Sequence, residues 1–469
     1  MTPADPVPPA GPAPSAGPAP SADWALLDKH TTGPLLRPGD GGFRDSSAAF
    51  NERWAHRAPA AVLRAADAAD VLRAVDWARD HGVPIVPRGG GHSYAGHCVN
   101  SGLVVDLRAL DAIAVDPATA RVAVGGGVLT GALYAALRPY GLALPLGNGA
   151  GVGIAGLALG GGSAATSRRF GLTADTLRST TLATAAGTVL TCDAEQNADL
   201  YWACRGGGGG NFGINLELTF QAVAAPAAST CVLLWEGARA LEVLCAVQQL
   251  MLTAPEETSL RLGVARTGGR TLVSTVGLHL GPAAELRELL APAFAAGAPL
   301  RAEIADRDFW DAMDHLQHET SGGAFAVRTH FAARPLPPEA LAAALAHLAA
   351  APPSGNSDGC GLALFGWGGA INRVDPAATA FVHRDAQYLV SLDTSWLPGE
   401  DPAPHLAHLA GLDHLIAPHA TGGAYLNFTD PDLRSWRSAY YGANYPRLVA
   451  TKRRHDPDGL FAFPQSIGS

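Results

Sequence analysis

A chain of 469 residues, 48% hydrophobic and 16% charged, can bury a large core, and its length suits two or three domains of roughly 150 residues each. Its formal net charge of -9 argues against a nucleic-acid partner, and no apolar run reaches the roughly 18 residues of a membrane span. Six cysteines without paired spacing argue against a disulfide scaffold or a cysteine metal site, and point to a reduced, cytoplasmic setting.

Residues 1–23 are a Pro/Ala/Gly/Ser repeat that cannot bury enough apolar surface to fold, and they read as a disordered tail. A β-α-β pattern follows. A strand near 61–63 leads to a helix in which Val71, Leu72, Val75, Trp77 and Ala78 lie near helical spacing, with Asp70 in the first turn and Gly82 ending it. The next strand runs into Arg88, Gly89, Gly90, Gly91, His92, Ser93 and Tyr94, with Gly96 just beyond. Consecutive glycines let backbone N–H groups converge on a ligand, so the loop reads either as a phosphate nest with Arg88 beside it and His92 at its rim, or as a plain flexible turn. It is not a P-loop, because no Gly-Lys-Ser/Thr follows. No long helix starts here, so the dinucleotide fingerprint is absent too.

Short strands are predicted near 103–107, 112–115 and 121–124, and a helix over 130–137. The richest glycine region comes next. Val152, Gly153 and Gly156, followed by Gly160, Gly161 and Gly162, read as a second backbone cradle, or as a loop packed tightly through small residues. A third cluster, 206–210, precedes Asn211, Phe212, Gly213 and Ile214. Three such loops suit an extended dinucleotide better than a single phosphate.

Beyond Pro226 the pattern changes. Strands are predicted at 230–235, 259–265, 270–280, 324–331, 361–366 and 388–396, and helices at 239–252, 283–295 and 338–351. Proline-rich breaks separate them. His279, His315, His318 and His330 show no metal-binding spacing.

These motifs in this order resemble the berberine-bridge-enzyme-like FAD-linked oxidases, within the FAD-binding family typified by vanillyl-alcohol oxidase and para-cresol methylhydroxylase. Besides the three glycine loops, the matching stretches are Phe170-Gly171-Leu172 with Asp175, Trp202 to Gly208, and Tyr441-Gly442-Ala443-Asn444 through Lys452 and Phe461. The resemblance implies an α+β fold. An FAD-binding domain of two subdomains, 24–225, would be completed by 426–469, and a substrate domain, 226–425, would carry an antiparallel sheet backed by helices. FAD would then contact the glycine loops from Arg88 to Gly96 and from Val152 to Gly162, together with Asp175, Asn211, Gly213, Ile214, Tyr441 and Asn444.

In the family the histidine after the glycine run bonds covalently to the methyl group of the flavin's benzenoid ring, and His92 matches it. A second tether often comes from a cysteine whose place is taken here by Gly149, so attachment through His92 only is expected. The family's base tyrosine ends a Tyr-x-Asn-Tyr stretch. Here the stretch is Tyr425-Leu426-Asn427-Phe428, and Phe428 would be an apolar pocket wall. Read as a strand, it turns Tyr425 away from Phe428. The catalytic candidates are therefore Asp393 as base, Ser391 on its strand face and Tyr388 on the other, with Arg328 and His330 offered to a polar substrate group.

The resulting expectation is an FAD-dependent oxidase that uses dioxygen, forms hydrogen peroxide and acts on a hydroxyl-bearing small molecule in natural-product tailoring or sugar oxidation. The loss of the base tyrosine leaves two rivals: a flavin-scaffolded non-redox cyclase or rearrangement enzyme, and a binding protein with a vestigial site.

Overall fold

The computed structural model describes residues 23–317 and 322–469, so the predicted tail up to Ala22 and His318 lie outside the described residues. A first sheet places strands Ala61–Arg64, Leu103–Asp106 and Ile85–Arg88 in parallel, with the two-residue strand Leu35–Leu36 antiparallel at its edge. Parallel neighbours need a crossover, and helix Ala68–His81 supplies it. Asp67 caps the helix by accepting from Asp70 N, and Gly82 ends it in the left-handed conformation at φ 61°. Its buried Val71, Ala74, Val75 and Ala78 pack on Leu63, Ile85 and Val105 of the sheet. The first glycine loop thus leaves the C-terminal end of a parallel strand, where open α/β sheets hold their ligands.

A second, antiparallel sheet runs in the order Ile113–Asp116, Arg121–Gly125, Ile214–Gln221, Leu177–Ala183, Val189–Cys192. Its central strand starts directly at the end of the third glycine cluster. Helix Thr130–Leu137 packs beside it and coincides with the predicted span.

The largest sheet has seven strands: β1 (Ala228–Glu236), β2 (Thr258–Thr267), β3 (Arg270–His279), β4 (Arg301–Arg307), β5 (Ala324–Ala332), β6 (Cys360–Gly366) and β7 (Tyr388–Trp396). Its order is β4-β1-β3-β2-β6-β7-β5, with every neighbour antiparallel. One face is covered by helices α1 (Ala240–Thr253), α2 (Pro338–Ala349) and α3 (Pro402–Ile416). Val243, Val247, Leu341, Leu348 and Leu412 meet Leu233, Leu262, Leu364, Val390 and Leu392 there. The other face looks toward the glycine loops.

Several elements depart from expectation, among them strands Leu177–Ala183, Val189–Cys192 and Ile214–Gln221, which the sequence patterns did not single out. The predicted helix 283–295 is broken into Ala283–Leu289 and Ala291–Ala296, because Pro292 cannot donate the helical hydrogen bond. The edge strand β4 and the helix α3 were not foreseen. β4 is half exposed and largely polar, and α3 starts Pro-Ala-Pro-His, which reads as a loop until Asp401 is seen to cap it with Pro402 in its first turn.

Candidate active site

Gly91 takes φ 76°, and a Cβ on Gly90 would fall 2.4 Å from the Gly151 carbonyl oxygen and 2.6 Å from the Gly153 nitrogen. The first and second glycine loops therefore touch backbone to backbone, a contact that no other residue type allows. The amides of Gly90, Gly91 and His92 donate to no protein acceptor among the described residues, which leaves a row of free N–H groups. Arg88 braces this turn from behind. Its guanidinium donates to Ala48 O at 3.0 Å and packs against Gly91, outside the cavity wall. The third loop is held by the C-terminal segment: Tyr441 Oη donates to Gly207 O at 3.2 Å, and buried Lys452 Nζ donates to Asn211 O at 2.6 Å.

The loops enclose one side of a cavity of about 1110 Å³. That is just above the range of roughly 300–1,000 Å³ for small-molecule sites. Gly89, Gly90, Gly91, His92 and Ser93 line it, as do Val152, Gly153, Gly156, Asn211, Gly213 and Tyr441. His92 stacks on Phe50 with ring centroids 4.1 Å apart and makes no hydrogen bond among the described residues. Burial, and then the nearby Arg88 charge, push its pKa down to about 4, so the imidazole is neutral with a free lone pair at pH 7.

The opposite wall is the open face of the large sheet. Asp393 and Ser391 on β7 both line the cavity. The Asp393 carboxylate has no hydrogen-bond partner among the described residues, and burial pushes its pKa up to about 6 against the pull of Arg261. Tyr388 does not belong to the site. The period of two turns it to the helix-covered face, where its hydroxyl donates to Gln248 O at 2.7 Å. Arg328 and His330 on β5 also point away from the cavity. Arg328 pairs with Asp413 of α3 at 3.0 Å and with Asp430 at 3.2 Å, and His330 meets Asp413 at 2.7 Å.

The Tyr425 stretch is a correction of a different kind. Leu426–Phe428 is a 3-10 turn rather than a strand, and residues three apart on such a turn share a side. Tyr425 and Phe428 therefore both line the cavity, with rings 5.2 Å apart. The Tyr425 oxygen accepts from Ser163 N at 2.9 Å and from Asn427 Nδ2 at 3.2 Å, while burial pushes its pKa up to about 12. Tyr94, two residues beyond His92, also faces the cavity and lies parallel to Phe428. That spacing was the available signal. Its pKa also rises to about 12, through burial and the neighbouring Asp393 charge.

Several residues assigned to the cofactor brace the loops from outside the cavity wall. Gly96 gives room to Trp54, Gly160 to Asn427, Gly161 to Phe381 and Gly162 to Thr173. Asp175 receives a bidentate grip from fully buried Arg384, at 2.7 and 2.8 Å. Ile214 is in the core under the parallel sheet. Asn444 donates to the carbonyls of Pro376 and Thr379, tying down the loop before β7. His279 is hydrogen-bonded to Thr258 Oγ1 at 2.9 Å, and His315 lies at the cavity rim.

Residues 59–193 match the model of an FAD binding domain, and 424–468 match the model described as berberine and berberine like. An uncharacterised FAD-linked oxidoreductase of Bacillus subtilis is 31% identical over 93% of this chain and 98% of its own length. The chain belongs to the berberine-bridge-enzyme-like FAD-linked oxidoreductases. Within this family, the chitooligosaccharide oxidase of Gibberella zeae is 29% identical over 92% of each chain. The solved structure of Physcomitrella patens BBE-like 1 superposes with a TM-score of 0.87 at 30% identity, covering 95% of this chain and 98% of that one.

The site fits the family's cofactor on its own geometry: free loop amides for a pyrophosphate, glycine-only contacts beneath it and one large cavity lined by all three glycine loops. The berberine-bridge-like chain is thus an FAD-dependent oxidoreductase. Among the described residues, no helix is long and apolar enough to cross a membrane.

Proposed function

We propose that this protein is an FAD-dependent oxidase of a hydroxyl-bearing small molecule, with an oligosaccharide end as the first substrate to test. FAD would be attached through His92 alone, and Asp393 would be the base. What carries this reading is one juxtaposition: an unpartnered, half-buried carboxylate across a single cavity from His92 and the free amides of the first glycine loop.

Held by the first, second and third glycine loops, FAD would supply the two-electron chemistry, a hydride acceptor that dioxygen and two protons would reoxidise with release of hydrogen peroxide. The protein's own part is to orient the substrate and take its proton. Asp393 Oδ would remove the hydroxyl proton as the C–H bond breaks, so the alcohol becomes a carbonyl. Phe428, Tyr94 and Tyr425 would press the sugar ring toward the glycine loops and keep water out.

The relatives named as oxidases do not favour a non-redox rearrangement. Anaerobic mixing of the holoenzyme with cellobiose and chitobiose tests the reading. An oxidase bleaches its yellow colour and regains it when air is admitted. Product formed without bleaching would support a rearrangement, and neither bleaching nor product would leave only a binding protein.

A further inference from the structure

The register of the large sheet shows how the substrate wall is shaped. Across β2, β6 and β7, Gly263 pairs with Ala363 and Ala363 with Ser391. In the next row Ala265 pairs with Gly361 and Gly361 with Asp393. The middle of the wall is thus a trough of small side chains. A Cβ on Gly263 would fit in ordinary contact with Ser274 Oγ at 3.5 Å, so the missing side chain deepens the trough there. At one corner of the trough stands Asp393. At the opposite corner stands Arg261 on β2, beside Phe365 on β6. The two corners are two strands and four residues apart, about 16 Å between their backbones, a gap that the two side chains shorten from either end.

Arg261 is the only arginine or lysine on the cavity wall among the described residues. It is exposed to the cavity, with its guanidinium 5.5 Å from the Phe365 ring centroid. It makes no hydrogen bond or ion pair among the described residues, and neither Asp358 nor Asp393, the acidic groups of the same cavity, pairs with it. Elsewhere two arginines of the interior meet carboxylates: Arg384 grips Asp175, and Arg328 meets Asp413 and Asp430. A substrate filling the trough would strip water from Arg261, and an unpaired desolvated charge is costly unless the ligand brings the counter-charge. The planar fork of arginine matches a carboxylate in two hydrogen bonds, and its flat face rests on an aromatic ring.

We propose that Arg261 is the binding group for a carboxylate carried at the end of the substrate remote from the oxidised carbon, as in an oligosaccharide bearing a uronic acid. This rests on the oxidase reading for the reacting end only. The anionic end lies over β2 and Phe365, the sugar chain crosses the Gly263–Ala363–Ser391 row, and the hydroxyl to be oxidised reaches Asp393.

The test titrates the holoenzyme anaerobically with cellobiose and with the disaccharide whose non-reducing ring is glucuronic acid. Perturbation of the flavin absorbance gives the affinity, and bleaching gives the reaction, so the two are read separately. The acid should bind about tenfold tighter or more, as expected for a charged hydrogen-bonded pair, and the preference should shrink in high salt. Arg261→Gln should abolish that preference while leaving cellobiose affinity nearly unchanged, and Arg261→Lys should restore part of it. Equal affinity for the two sugars overturns the inference. So does a preference that survives Arg261→Gln, an equal loss for both sugars, or no flavin perturbation by the acid. Binding with the predicted preference but no bleaching sinks the oxidase reading and leaves the anion site standing.

Discussion

Tyr94 and Phe428 lie face to face, with ring centroids 5.1 Å apart and planes 8° from parallel. One comes from the loop after His92, the other from the 3-10 turn near the C-terminus. Together they close the cavity between the two halves of the chain, at the place where the family commonly has a base tyrosine. Such a pair is worth roughly 0.5–1.5 kcal/mol beyond its buried area. Phe428→Ala should therefore lower stability by at least that amount in a denaturant melt. Phe428→Tyr keeps the ring and should leave the melting temperature nearly unchanged.

Asp393 links activity to stability with opposite signs. As a base it must be ionised, so the rate of flavin reduction should rise with pH through about 6 and level off above. Asp393→Asn should slow that step by ~10²–10⁴ and remove the rise. Its pKa is raised in the folded protein, so the folded state is penalised above about pH 6 and relieved as pH falls through that value. The same substitution should therefore stabilise the protein at pH 8 by on the order of 1–2 kcal/mol. A mutant as fast as the wild type at single turnover removes Asp393 from the mechanism.

Buried histidines predict the acid limb of stability. His408 stacks on His347 at 4.2 Å and His383 on Phe331 at 4.3 Å, and burial lowers both pKa values to about 4. Unfolded histidine takes up its proton near 6.5, whereas the folded residues resist it. Stability should be flat above pH 6.5 and fall between about 6.5 and 4, by up to roughly 3 kcal/mol per histidine. His408→Gln should flatten part of that slope in pH-dependent melts.

Tryptic mapping of the denatured protein should find the flavin mass on the peptide 89–108 alone, and fragmentation of that peptide should place it on His92 rather than on His97 or Cys98, which share it. Cys98 is the decisive control, because it lines the same cavity and its thiol meets Gly91 O at 3.5 Å. At Gly149 no sulfur is available. His92→Ala should still bind FAD through the loop amides, yet release it in acid.

Arg328 ties β5 to α3 and to Asp430, two residues past Phe428. Its removal takes the arginine from two partly buried carboxylates and leaves Asp413 with His330 alone. Arg328→Leu should cost roughly 1–3 kcal/mol, below the 3–5 typical of a fully buried pair. It should also loosen the turn, read as a weaker substrate-induced flavin perturbation.

Local chemistry alone was enough to place much of this molecule. Period-two runs located β1, β2, β3, β5, β6 and β7, because a strand with one face on a helix layer must alternate. The glycine runs revealed the loops around His92, Val152 and Asn211, because only glycine permits backbone to approach backbone or ligand so closely. Asp393 and Ser391 shared a face for the same periodic reason. Which face, however, is not a local property. Tyr388, Arg328 and His330 lie on strands that were found correctly, yet they turn toward α1 and α3, since the side on which helices pack is set by contacts distant in sequence. Tyr425 was turned away by assuming a strand where Ser163 and Asn427 instead hold a 3-10 turn. Asp175 was assigned to the cofactor, and only folding brings Arg384, 209 residues along the chain, to claim it. Arg261 gave no signal in the sequence. Its role came from cross-strand register, which sets it and Asp393 at opposite corners of one small-residue trough.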